Sequence, residues 1–97
     1  MTEEPTILPE GNYLATILEF GSLTLSQTKP GVFRMPIQLD VAGQVVFTMM
    51  FGYPAAMQAL RASRSFWEGE KVNIRCRHRK HEGRLHTDID VTWEKAR

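Results

Sequence analysis

The 97-residue sequence predicts an all-β fold with one helix, in which five strands form a barrel and the helix joins the third strand to the fourth. Three observations support this prediction. Five segments alternate apolar and polar residues with the two-residue period of a strand. Turn residues separate these segments. One alanine-rich stretch, residues 55–62 behind Pro54, has the composition of a helix.

The first strand is expected to be long and bent. A turn at Pro9–Gly11 precedes it, so residues 1–8 are expected to be a loose lead-in to a single domain over residues 9–97. Residues 12–20 are mostly apolar, aromatic or β-branched, Gly21 interrupts them, and the alternation then resumes. A glycine inside a strand usually marks a bulge or a bend.

The second and third strands are predicted to form a hairpin through a tight turn at Ala42–Gly43. This turn pairs Leu39 with Val46, and alternation then fixes the remaining pairs. The register places one set of side chains together on the outer face: Arg34, Gln38, Phe47, Met49 and Phe51. A slip of one residue would instead move the phenylalanines into the core, and the sequence leaves that alternative open.

The fourth and fifth strands are predicted to pair through a two-residue turn at Glu82–Gly83. We expect Trp93 to close one end of the barrel and Trp67, after the helix, to fill the other. The predicted cross-strand pairs are Val72–Trp93, Ile74–Val91 and Cys76–Ile89 on one face, and Arg75–Asp90, Arg77–Asp88 and Arg79–His86 on the other.

This order of elements is that of the oligonucleotide/oligosaccharide-binding (OB) fold, a five-stranded Greek-key barrel with its helix between strands 3 and 4. Gly-Asn-Tyr-Leu-Ala-Thr-Ile at residues 11–17 and Glu-Gly-Glu-Lys-Val-Asn-Ile at residues 68–74 resemble small single-stranded-DNA-binding OB proteins of phages and mobile elements. The resemblance covers residues 9–93. The chain lacks the acidic tail with which such proteins recruit partners, so we expect no replication-hub role. Two alternative folds are also compatible with the sequence: a small open sheet packed with one helix, or an SH3-like barrel.

Charge is distributed unevenly along the chain. Residues 1–52 contain two Lys or Arg against five Asp or Glu, whereas residues 53–97 contain ten against six. Five of these ten basic residues lie between Arg75 and Arg84. A basic cluster of this kind favours a polyanionic partner.

The OB layout predicts where that partner binds, because nucleic acid crosses strands 2 and 3 between the loop that joins strands 1 and 2 and the loop that joins strands 4 and 5. Phe47 and Phe51 are expected to stack bases, helped by Tyr53. Arg75 and Arg77 face aspartates, which leaves other basic residues unpaired. The residues expected to bind the phosphate backbone are Lys29, Arg34, Arg79, Lys80 and Arg84.

The predicted function is therefore binding of single-stranded DNA, or RNA, with little sequence preference. The alternative is a protein–protein adaptor, inhibitor or assembly subunit that uses Phe47, Met49 and Phe51 as a homo-oligomer seam or partner surface. The two functions differ in whether this face is open or covered by another chain.

Other functional classes have little support in the sequence. Cys76, His78, His81 and His86 are zinc-ligand types, but strand alternation points them to different faces, so no metal or cofactor is expected. No catalytic motif is present, and arginines face Asp88 and Asp90, so we expect no enzyme. The absence of a signal peptide and of a long apolar segment predicts a cytoplasmic protein with no membrane partner.

Overall fold

Six strands and two helices make up residues 8–96, which are the residues that the computed structural model describes, the side chain of His81 excepted. They are β1 (Gly11–Phe20), β2 (Thr24–Leu25), β3 (Phe33–Val41), β4 (Gln44–Gly52), α1 (Pro54–Ala62), α2 (Arg64–Trp67), β5 (Lys71–His81) and β6 (Arg84–Lys95). The strands form one antiparallel sheet in the order β2-β3-β1-β5-β6, and β4 pairs with the other edge of β3. The mostly-β class and the position of the helix are confirmed. The expected first strand is divided into β1 and β2, and α2 follows α1.

β1 links the two halves of the sheet. Its first half, Gly11–Thr16, pairs with β5, and its second half, Thr16–Phe20, pairs with β3. The register shifts between Ile17 and Glu19. At this shift the turn before β5 binds the backbone of Ile17, whose N–H donates to the Glu70 carbonyl (2.9 Å) and whose carbonyl accepts the N–H of Gly69 (2.7 Å).

The break between β1 and β2 requires glycine because the chain passes close to β3. The N–H of Gly21 donates to the Pro36 carbonyl at 2.7 Å. A Cβ on Gly21 would lie 2.4 Å from Cγ of Pro36, which is closer than real Cβ contacts allow. The Gly21 carbonyl accepts the Nε–H of Arg61 at 3.0 Å, which ties α1 to the break.

Both hairpins have two-residue turns whose residues lie in the left-handed region. The φ angles are 54° at Ala42 and 84° at Gly43, and 51° at Glu82 and 77° at Gly83. This geometry suits the twist of paired strands. Asp40 supports the first turn, because its Oδ1 accepts the Gly43 N–H at 2.9 Å.

The predicted register of the β3–β4 hairpin is confirmed over its whole length. The β5–β6 register is confirmed from the pair Ile74–Val91 to the pair Arg79–His86. The prediction that Val72 pairs with Trp93 is wrong. An irregularity between Val72 and Ile74 moves the partner of Val72 to Lys95.

The buried side chains of the sheet and of α1 form one hydrophobic core. Leu8 belongs to it with 7% of its surface exposed, so the packed unit includes the last residue of the predicted lead-in; residues 1–7 of that lead-in and Arg97 lie outside the described residues. α1, which Pro54 opens, buries Met57 in this core. The core residues are Leu8, Ala15, Ile17, Phe20, Met35, Ile37, Leu39, Val41, Met57, Val72, Ile74 and Cys76.

β4 and β6 are the two edges of this sheet. Thr48 Oγ1 on β4 donates to the carbonyl of Ile89 on β6 at 3.5 Å. No backbone ladder joins the two strands within residues 8–96, so the described sheet is open. Neither helix in this part of the chain has the length and apolar character needed to cross a membrane.

Candidate nucleic-acid interface

The outer face of β4 carries a row of exposed apolar side chains. Phe47 is 68% exposed, Met49 42% and Phe51 44%. The alternative in which the phenylalanines enter the core is therefore excluded. Their partners on β3, in the same order, are Gln38, Pro36 and Arg34, as the sequence predicts.

This row borders a cleft of about 360 Å³ between the edge strands β4 and β6. Phe47, Met49 and Phe51 line one side of it, and residues 87–90 of β6 line the other. β5 contributes Arg77 and Arg79, and Lys29 reaches the cleft from the turn between β2 and β3. The cleft thus joins the aromatic rings of β4 to basic side chains from two further segments.

Lys29 lies over one of the two phenylalanine rings. Its Nζ is 4.9 Å from the centroid of the Phe51 ring, which is within the range of a cation–π interaction. Ser26 holds the turn that carries Lys29, because its Oγ accepts the Lys29 N–H at 3.1 Å. One face of Phe51 is therefore occupied by a cation, whereas Phe47 has no such contact among the described residues.

Two ion pairs join the basic residues of β5 to β6. Nη2 of Arg77 lies 2.8 Å from Oδ2 of Asp90, and Nε of Arg79 lies 2.8 Å from Oδ2 of Asp88. The expectation that Arg79 is unpaired is therefore wrong. Each arginine side chain extends diagonally across the hairpin, past the β6 residue that pairs with it in the register. That residue is Asp88 for Arg77 and His86 for Arg79. The arginine side chains are 55% and 59% exposed, so each pair contributes at most about 1 kcal/mol.

The remaining predicted phosphate-binding residues lie around the cleft. Lys80 and Arg84 are exposed next to the β5–β6 turn, outside the cleft lining, and no described ion pair involves them. Arg34 pairs with Phe51 across β3 and β4, and its Nε donates to Thr24 Oγ1 at 3.0 Å. Tyr53 is 75% exposed at the start of α1 and does not line the cleft. The structure therefore brings together four of the eight predicted residues: Lys29, Phe47, Phe51 and Arg79.

Sequence reasoning missed several residues of the cleft. Arg77, Asp88 and Asp90 were assigned only to cross-strand pairing, yet they line the cleft together with Thr87 and Ile89. The available signal was topological. In an OB layout the third and fifth strands are the two that approach each other to close the sheet, so the β6 residues nearest β4 could have been identified from the predicted order.

Two of the candidate zinc ligands, Cys76 and His78, contact the N-terminal end of the described chain instead. The His78 Nε2–H donates to the Leu8 carbonyl at 2.7 Å, and the Cys76 thiol lies 3.5 Å from the same oxygen. The backbone N–H of His78 donates to Oε2 of Glu10 at 2.8 Å. Burial, with a smaller effect of the Glu10 charge, raises the pKa of the Cys76 thiol above its ordinary value of 9.0. Over residues 8–96, excluding the His81 side chain, no three His, Cys, Asp or Glu side chains could share a metal.

The two tryptophans lie at the same end of the sheet, which corrects the expectation that they occupy opposite ends. The ring centroids of Trp67 and Trp93 are 5.1 Å apart, in an edge-to-face arrangement. Phe20 packs on Trp93 at 5.9 Å and Phe66 on Trp67 at 5.0 Å. Lys95 Nζ lies 3.8 Å from the Phe66 ring centroid. This aromatic cluster is built from β1, α2 and β6 and shares no residue with the cleft.

No protein-family model matches the sequence, and a search of curated proteins finds no significant match.

Proposed function

We propose that this chain binds single-stranded DNA without catalysing a reaction, by stacking bases on Phe47 and Phe51 and neutralising phosphates with the basic side chains around them. The observation that carries the proposal is the β4–β6 cleft, in which two exposed phenylalanine rings lie beside Lys29, Arg77 and Arg79. Aromatic platforms combined with basic grooves are the usual means of binding single strands.

The energetics of the cleft favour a ligand that supplies both flat rings and negative charge. Stacking is worth about 1–3 kcal/mol per base and tolerates every base. A guanidinium group has five N–H donors, so Arg77 and Arg79 can each bind a phosphate while keeping a solvent-exposed, weak ion pair with an aspartate. Lys80 and Arg84 extend the basic surface beyond the cleft toward the β5–β6 turn.

The proposal includes an OB-type barrel as the scaffold. Three features support it: β1 is shared by both halves of the sheet, α1 and α2 lie between β4 and β5, and Thr48 contacts Ile89 across the two edge strands. In this layout the ligand face is formed by strands 2 and 3, which are β3 and β4 here. The exposed phenylalanines lie on that face.

The test is fluorescence anisotropy with labelled oligo-dT, the corresponding oligo-U and duplex DNA, at several salt concentrations. We expect oligo-dT to bind more tightly than duplex DNA, with an affinity that falls as salt rises. For single strands the slope of log K against log salt is about −0.7 per phosphate contact. If Lys29, Arg34, Arg79, Lys80 and Arg84 each bind one phosphate, the slope reaches about −3.5. Tighter binding of oligo-U would reassign the ligand to RNA, and no binding at low salt would refute the proposal.

The exposed row on β4 also favours the second candidate, a protein-binding or self-assembling subunit. Val45, which is 49% exposed, extends the apolar row of Phe47, Met49 and Phe51 to four alternate residues of one strand. A contiguous apolar row of this kind is typical of an interface core. Light scattering after size-exclusion chromatography distinguishes the two functions, because a dimer that Phe47→Glu dissociates would favour assembly.

A further inference from the structure

The cleft contains two carboxylates, which a surface that binds only phosphate would not need. Asp88 and Asp90 line it opposite the apolar row of β4. Each contacts an arginine through Oδ2, and no ion pair or hydrogen bond within residues 8–96, the His81 side chain excepted, involves Oδ1. A carboxylate has about four acceptor sites, so each aspartate keeps acceptor capacity while its arginine is engaged.

We infer that Asp88 and Asp90 read the edges of stacked bases, and that the cleft prefers bases that carry an exocyclic amino group. This inference rests on the proposed function and adds a preference to the sequence-tolerant stacking. Phosphates and carboxylates repel each other because both are negatively charged. The nucleic acid therefore binds with its phosphate backbone toward Lys29 and the basic residues near the β5–β6 turn, and with its bases toward β6.

The chemistry of the bases then decides the preference. Carboxylates accept hydrogen bonds from N4–H of cytosine, from N6–H of adenine, and from N1–H and N2–H of guanine together. Thymine and uracil have no amino group, and their one ring N–H lies between two carbonyl oxygens that repel a carboxylate. The side chains of Asp88 and Asp90 are 44% and 59% exposed, so water competes for them. The expected preference is therefore at the low end of base discrimination, about fivefold.

The test compares oligo-dC with an oligonucleotide of equal length in which every base is N4,N4-dimethylcytosine, and with oligo-dT. The dimethylated base can still stack but has lost the amino hydrogens. We expect the parent protein to bind oligo-dC about fivefold more tightly than either of the others. The variant Asp88→Ala/Asp90→Ala should bind all three oligonucleotides within about twofold of one another. It should also bind oligo-dT more tightly than the parent does, because Arg77 and Arg79 are released for phosphate.

Glu94→Ala/Glu70→Ala is the matched control, since it removes two negative charges from residues outside the cleft lining. It should raise the affinity for all three oligonucleotides alike and leave their ratio unchanged. Steric effects of the methyl groups are also controlled, because they would persist in the aspartate variant. Thermal unfolding confirms that each variant is folded.

These outcomes distinguish a failure of the inference from a failure of the proposed function. A parent protein that binds oligo-dT tightly but shows no preference for oligo-dC overturns the inference alone. The same holds if the aspartate variant keeps the full preference. If none of the three oligonucleotides binds to the parent protein, the proposed function fails and the inference fails with it.

Discussion

Replacing Phe47 by alanine separates binding from folding more cleanly than any other change in the cleft. The side chain is 68% exposed, so its removal uncovers little buried surface and should change the free energy of unfolding by less than about 0.5 kcal/mol. Loss of one stacked base costs about 1–3 kcal/mol of binding free energy. The expected loss of affinity for oligo-dT is therefore roughly 5- to 150-fold. Fluorescence anisotropy measures the affinity, and thermal unfolding checks the fold.

Phe51→Ala should lose less affinity than Phe47→Ala. Lys29 lies 4.9 Å from the centre of the Phe51 ring, and a base can stack on that face only after this contact, worth about 0.5–1 kcal/mol at an exposed site, is broken. Phe66→Ala is the control, because Phe66 is 55% exposed and lies in the aromatic cluster outside the cleft. The reasoning is refuted if Phe47→Ala retains the parent affinity while folded, or if Phe66→Ala loses as much.

Three further predictions concern stability. Ile37→Ala should destabilise the protein by about 2–5 kcal/mol, measured by urea unfolding, because Ile37 is fully buried; a cost under about 1 kcal/mol would contradict the core assignment. Ala42→Asn should raise the free energy of unfolding by about 0.5–1 kcal/mol, seen as a higher urea midpoint at constant m-value, because asparagine tolerates the φ of 54° better than alanine; an unchanged midpoint would show that the turn is unstrained. The raised pKa of Cys76 means that its stabilising contribution is complete below the unfolded-state pKa, near 9.0, and is lost as pH rises through the higher folded-state pKa. Stability should therefore fall as pH rises through 9.0 and above, more steeply in the parent than in Cys76→Ala, and parallel pH profiles would exclude this linkage.

Much of the sheet could be predicted because two-residue alternation and two-residue turns determine pairing locally. The turns at Ala42–Gly43 and Glu82–Gly83 each set a register that the structure confirms over most of its length. The prediction failed at Val72, where Trp93 packs between Phe20 and Trp67 and the register shifts toward Lys95. That shift coincides with contacts between residues distant in sequence, which no local pattern encodes.

The candidate site could be predicted only in part, for a similar reason. The exposure of Phe47 and Phe51 follows from the register of one hairpin, and alternation together with the turn at Ala42–Gly43 predicts that register. The ion pair of Arg79 with Asp88 runs diagonally, so it depends on the twist between strands and the reach of arginine. The contribution of Asp90 to the cleft depends on β6 approaching β4, which is a property of the whole sheet.

Glu10 has a further consequence for how this chain behaves at high concentration. β1 begins at Gly11, opposite Cys76, so β5 continues beyond the end of its neighbour and would otherwise offer a free backbone donor there. Such donors let strands of separate molecules pair edge to edge and aggregate. Here the Glu10 carboxylate accepts the His78 N–H, so an incoming strand would have to displace a negative charge before its own carbonyl could bind. The same short segment that packs Leu8 into the core thereby covers one backbone donor at this end of β5.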